Sequence, residues 1–234
     1  MNHSVENSIR TELQNKGADF VVFADISDLS IQQSKGYPYA ILFGIALSPE
    51  YLYKVCITSD YAEKMKREKS TDKDEFNIIE QKTDIIADNM AEFLKKKGYS
   101  AYSQSEKNIL STGYYDEKNK ITPLPHKTIA GIAGLGWIGK HDLLVTPDYG
   151  SAISMCTILT NAPVKTALKD ITLSGCGDCS ICAESCEVKA IKGISWEYGI
   201  SRDEIIDINL CTSCLKCMVL CPWTQKYLKS GLKK

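Results

Sequence analysis

The chain has 234 residues and a mass of 26.0 kDa, room for two domains. Hydrophobic residues at 44% and charged residues at 24% are the balance of a chain that can bury a core. The net charge of -1 excludes a uniformly basic nucleic-acid-coating protein, and the longest apolar run, 39–47, is far short of the roughly 20 residues of a membrane helix. The first residues carry neither the basic nor the apolar stretch of an export signal, so the expected location is the cytoplasm.

In chain order, the pattern predicts a helix over 4–16 closed by Gly17. Strands rich in Val, Ile, Phe and Tyr are predicted over 19–26 and 39–47. A long helix starts at Thr71-Asp72-Lys73-Asp74. Ile78, Ile79, Ile85, Ile86, Met90, Phe93 and Leu94 mark its apolar face, its dense charges the solvated side, and Gly98 its cap. Shorter strands are expected over 99–103, 143–146 and 152–159. Alternating strands and helices argue a three-layer α/β domain over 1–165, linked through Asn161-Ala162-Pro163 to a second domain over 166–234.

Gly134-Leu135-Gly136-Trp137-Ile138-Gly139-Lys140-His141 matches both G-x-G-x-x-G and part of a phosphate-binding loop. Those motifs follow a strand and open a helix, so that helix N–H groups face phosphate. Here a helical pattern precedes (127–133) and a strand pattern follows, and His141 stands where a magnesium-holding Ser or Thr belongs. Nucleotide binding is therefore not expected. Three glycines around a tryptophan permit close backbone approach to something flat or bulky, or else form a tight turn with Trp137 as filler.

The abnormal number is ten cysteines, eight of them between Cys176 and Cys221. Cys176, Cys179, Cys182 and Cys186 form one C-x2-C-x2-C-x3-C run, and Cys211, Cys214, Cys217 and Cys221 another. This is the run with which bacterial ferredoxins hold two [4Fe–4S] clusters. Three thiolates on a tight loop reach three corners of one cube, and the fourth cysteine of each run serves the other cluster. The assignment is Cys176, Cys179, Cys182 and Cys221 to cluster 1, and Cys186, Cys211, Cys214 and Cys217 to cluster 2. A disulfide framework does not suit a chain without a secretion signal, and a zinc ribbon has no use for a third cysteine at the same spacing. Cys56 and Cys156, in apolar or strand-like surroundings, read as buried structural thiols.

The Gly134–Lys140 segment, the stretch Leu143-Leu-Val-Thr-Pro147-Asp-Tyr-Gly-Ser151, Ile158-Leu-Thr160 and the double cysteine run together resemble epoxyqueuosine reductase. They are more distantly similar to the corrinoid-dependent reductive dehalogenases. The resemblance is specific from about His126 to Pro222. It implies a nitroreductase-like α/β domain followed by a bacterial ferredoxin-like double [4Fe-4S] domain, with cobalamin bound base-off between that domain and the nearer cluster. The clusters then feed electrons to cobalt for reduction of an electrophile. Gly134, Gly136, Trp137, Gly139 and Lys140 are the expected cofactor-binding residues.

The sequence departs from that family in three places. No acid matches the aspartate proton donor that precedes the glycine segment in the family, which leaves Tyr115 and Asp116 as candidates. His141 replaces the usual asparagine. The sequence runs thirteen residues past Cys221, where relatives carry helical repeats that help to hold tRNA, and has only three arginines. The expectation is an iron–sulfur oxidoreductase acting on a small electrophilic molecule rather than on tRNA, with reduced ferredoxin or flavodoxin as electron donor and no membrane association. The alternative is a non-catalytic electron-transfer module, without corrinoid, docking on a partner redox enzyme.

Overall fold

The structure, a computed structural model, describes residues 4–166, 174–197 and 199–232. Helix α1 (Val5–Asn15) is capped by Ser4, whose Oγ accepts from the Asn7 amide at 3.3 Å, and it is closed at Gly17 in the left-handed conformation. Strand β1 (Phe20–Asp25), the short α2 (Ile31–Ser34) and strand β2 (Tyr39–Ala46) follow. Two helices come next, α3 (Pro49–Ile57) and α4 (Tyr61–Arg67), before the long α5 (Glu75–Lys96). Then come β3 (Ala101–Ser103), α6 (Glu106–Ser111), α7 (His126–Ile132), β4 (Trp137–Ile138), β5 (Leu144–Val145) and β6 (Ile153–Thr160). The cysteine region carries short helices α8 (Ile181–Glu184), α9 (Arg202–Ile205) and α10 (Lys216–Val219), and ends in α11 (Pro222–Gly231).

These elements form two compact units. One holds the chain up to Ile45, Ile79–Leu135 and the stretch beginning at Ser154; the other holds Ala46–Ile78, Gly136–Ile153 and the chain from 174 onward. A single cut at 165/166 does not describe this grouping, because two segments from the first two-thirds of the chain pack with the cysteine region. The expected link at Asn161-Ala162-Pro163 remains in the first unit, while 167–173 lie outside the described residues.

The first unit is built on a four-stranded sheet in the order β1-β2-β6-β3, with β1/β2 and β3/β6 antiparallel. Side chains of a strand alternate between faces. Val21, Phe23, Ile41, Phe43, Cys156 and Ile158 fall on one face. They pack with Ile9 and Leu13 of α1 and with Ile86, Met90 and Leu94 of α5. Helix α7 packs on β1, and His126 at its start is paired with Thr157, which points away from Cys156 and Ile158. The sheet is thus covered on both faces. Ile78 and Ile85, expected on the apolar face of the long helix, are instead solvent-exposed; Ile79 and Phe93 are partly buried against the core. The buried stripe of α5 follows Thr83, Ile86, Ala87, Met90, Ala91 and Leu94, which is the narrower 3.6-residue period.

In the second unit, α10 and α11 pack on α3, and Gly231 lies so close to Pro49 that a Cβ there would meet the proline ring at 2.2 Å. Asp74, buried before α5, accepts from the Tyr51 hydroxyl at 2.9 Å and the Tyr61 hydroxyl at 2.8 Å, tying α3 and α4 together. Among the described residues no helix is long and apolar enough to cross a membrane.

Candidate functional site

Each cysteine run begins with a tight loop. In the first, the Cys179 amide donates to the Cys176 carbonyl at 3.0 Å and Gly177 takes a left-handed φ of 48°. In the second, Ser213 and Leu215 are left-handed, at φ 55° and 67°. Cys182 then rides on α8, Cys217 on α10, and Cys221 is the N-cap of α11, where Pro222 takes the first helical position.

This folding brings cysteines of the two runs together in two overlapping groups. Cys176, Cys179, Cys182 and Cys221 line one cavity of about 140 Å³. Cys186, at the end of the first run, joins Cys182, Ala190, Ile191 and Ile206 in a buried cluster against which Cys211 and Cys217 pack. Burial, and then the neighbouring Cys176 and Cys221, push the Cys182 thiol up to about 11. Burial, and then Cys214 and Cys211, push Cys217 up to about 12. Burial also raises Cys221, against the backbone amides of Trp223 and Thr224, which donate toward its sulfur. Such thiols ionise only when a cation repays the loss of solvent, and metal binding releases their protons. N–H···S bonds of this kind also tune a bound iron–sulfur cluster.

Soft thiolates in fours are the donor set of a cluster. All ten cysteines are free thiols. Among the described residues no three His, Cys, Asp or Glu side chains converge as ligands of a single metal ion. The four thiols of the first set stand around a cavity instead.

The same cavity is walled by Lys140, His141 and Trp223. Lys140 Nζ donates to the carbonyls of Gly177 at 2.8 Å and Cys179 at 3.1 Å, clamping the first cysteine loop. His141 is buried. Its Nδ1 accepts from the Leu143 amide at 3.2 Å, which places the proton on Nε2, 3.2 Å from Ser151 Oγ. The Ser151 amide donates to Thr224 Oγ1 at 3.0 Å, so this chain of contacts runs from the glycine segment to the first turn of α11. A Cβ on Gly150 would lie 2.3 Å from the Thr224 amide nitrogen, so the turn and α11 touch backbone to backbone.

The glycine segment has α7 before it and β5 after it, as expected, and its own Trp137–Ile138 forms β4, pairing Trp137 with Val145. The close approach its glycines permit is made to the chain itself. A Cβ on Gly136 would lie 2.1 Å from the Val145 carbonyl oxygen, and one on Gly139 would meet the His141 ring at 2.7 Å. Trp137 is buried against Gly175 and stacks edge-on with Trp223 at 5.0 Å. Its Nε1 has no hydrogen-bond partner, an orphaned buried donor that a ligand acceptor would satisfy. Gly134, left-handed at φ 63°, closes α7 in the first unit.

The proton-donor candidates lie in the first unit. Tyr115 is half-buried. Asp116 is exposed, and hydrogen bonds from Asn119 hold its carboxyl below the usual range, so it carries no proton to give at neutral pH. Cys156 is fully buried, with its thiol 3.6 Å from Asp84, as expected of a structural thiol. Cys56 is not: it is exposed on α3, a helix rather than a strand. The expectation followed the apolar neighbours Val55 and Ile57, but adjacent helical residues point about 100° apart, and only Val55 faces inward. Sequence reasoning missed Lys66, whose Nζ donates to the Thr212 carbonyl at 3.2 Å inside the second cysteine loop. No local signal links residues 146 positions apart.

No family model matches the chain. Its likeness is to reductases. The epoxyqueuosine reductase of Synechocystis is 30% identical over 156 residues, 57% of this chain and 50% of that protein. Among solved structures, a reductive dehalogenase, whose structure suggests a mechanism for B12-dependent dehalogenation, superposes with a TM-score of 0.68 at 19% identity. That match covers 97% of this chain and 33% of that one. An epoxyqueuosine reductase crystallised with an epoxyqueuosine-modified tRNA-Tyr stem loop superposes at 0.58 with 14% identity, over 94% of this chain and 65% of that one. The resemblance to epoxyqueuosine reductases thus holds in sequence and in fold, and the curated proteins it matches are oxidoreductases. The match spans half the length of the Synechocystis relative.

Proposed function

We propose that the chain is the redox core of an epoxyqueuosine-reductase-like enzyme, a mixed α/β reductase that holds two [4Fe–4S] clusters and passes electrons to an electrophilic substrate. The observation that carries this is the cavity lined by Cys176, Cys179, Cys182 and Cys221, with Cys186 set among Cys211 and Cys217. In this reading cluster 1 takes the first four thiolates. Cluster 2 takes Cys186, Cys211, Cys214 and Cys217. Reduced ferredoxin or flavodoxin is the proposed donor.

A base-off corrinoid is the proposed acceptor, supported by the likeness to a B12-dependent dehalogenase and by the orphaned Trp137 Nε1. When bound, it supplies a strongly reducing cobalt centre. Lys140 holds the loop of Cys176 and Cys179, and Trp137 and Trp223 would shield a group bound beside it from water. The second reading, an electron-transfer module without corrinoid, is favoured by one observation: Gly136 and Gly139 are packed by Val145 and His141 of the same chain.

Anaerobic purification followed by iron and cobalt analysis separates the readings. About eight irons per chain with cobalamin taken up stoichiometrically supports the first. Eight irons with refusal of cobalamin selects the second, and a colourless, iron-free protein contradicts both. Assays with a small epoxide, an organohalide and an epoxyqueuosine-modified tRNA stem loop then fix the substrate. We propose the small molecule, and turnover of the stem loop alone would overturn that choice.

A further inference from the structure

Two lysines from outside the cysteine runs each reach into one cysteine loop, and they do so unequally. Lys140 is half-buried and makes two bonds, to Gly177 and Cys179 carbonyls, at 2.8 and 3.1 Å. Lys66 is exposed and makes one, to the Thr212 carbonyl at 3.2 Å. The charges differ as well. Among the described residues no carboxylate forms an ion pair with Lys140. Beside the second loop, Lys216 is paired with Glu187 and with Asp60 at 3.7 Å, so that its charge is largely balanced.

Resting on the two-cluster reading, we propose that Lys140 is a positioning residue that makes cluster 1 the electron sink of the pair. Reduction of a [4Fe–4S] cluster adds one electron and breaks no bond, so the only quantity that changes is its negative charge. A fixed ammonium stabilises the reduced state, by an amount that grows with burial and falls with solvent screening. Lys140 meets those conditions at cluster 1, and Lys66, exposed and singly bonded, does not meet them at cluster 2. The clamp also fixes the carbonyls and amides that surround the sulfurs, a second determinant of potential. Electrons entering from an external one-electron carrier therefore come to rest on cluster 1, beside Lys140, His141 and Trp223.

The test is a dithionite titration of anaerobically purified protein, followed by electron paramagnetic resonance, with iron measured on every sample. In the natural sequence two unequal midpoints are expected. Lys140→Gln and Lys140→Met lower the higher one by about tenfold in its reduction equilibrium, about 59 mV for one electron, with iron content kept. Lys140→Arg restores it, and Lys66→Met moves neither. The proposal is overturned if the two clusters of the natural sequence titrate together, or if Lys140→Gln keeps its iron and both midpoints. Loss of cluster 1 iron from both uncharged variants would make Lys140 a structural clamp alone and likewise overturn it. About four irons or fewer per chain in the natural sequence would instead contradict the two-cluster reading on which the proposal rests.

Discussion

His126 opens α7 with its Nδ1 2.8 Å from Thr157 Oγ1, and burial lowers its pKa from 6.5 to about 4. The folded protein keeps the ring neutral where the unfolded chain would protonate it. Stability is therefore full above about pH 6.5, declines as the pH falls, and by about pH 4 has lost up to about 3 kcal/mol. Urea unfolding at pH 7.5 and pH 4.5 measures this, and His126→Gln flattens the dependence. At this scale the cysteine loops were legible because their spacing is local: three thiols two residues apart read as one loop. Cys56 was not legible, since its exposure depends on which way α3 faces. Yet Ser48-Pro49-Glu50, with Ser48 Oγ accepting from the Tyr51 amide at 3.1 Å, is a helix start written in the sequence.

Among the elements, the β4/β5 hairpin has the least tolerance. Gly136 faces the Val145 carbonyl so closely that Gly136→Ala forces the strands apart. The expected cost is about 2–4 kcal/mol, read as a lower melting temperature in protein freed of iron and cofactor. An unchanged melting temperature would mean that the glycine serves a ligand rather than the hairpin. The long elements were legible to within a few residues: α1, β1, β2 and β6 fall where capping residues and apolar runs placed them. The long helix starts later than its charged segment suggests, because Thr71–Lys73 forms a separate 3-10 turn and Asp74 is taken by Tyr51 and Tyr61. The short helices α8 and α10 carry no pattern of their own, whereas α9 opens on a Ser201–Glu204 capping box, with the Ser201 amide donating to Glu204 Oε1 at 3.0 Å.

For the whole molecule, the sequence suggested two domains in series, whereas the compact units are interleaved. Ala46–Ile78 and Gly136–Ile153 pack with the cysteine region. The reason is physical: helices as short as α8 and α10 cannot bury a core alone, and α3 and Trp137 of the β4/β5 hairpin supply surface to pack on. Such long-range packing leaves no mark in local periodicity. The crossed wiring of the cysteines is the claim on which the functional account stands, and it is tested by the iron content of Cys176→Ser/Cys221→Ser. If those two residues serve the same cluster, the double variant loses one and keeps about four of about eight irons per chain, with the spectrum of the other cluster intact. If each run holds its own cluster, the variant damages both, and an iron content near zero would contradict the account.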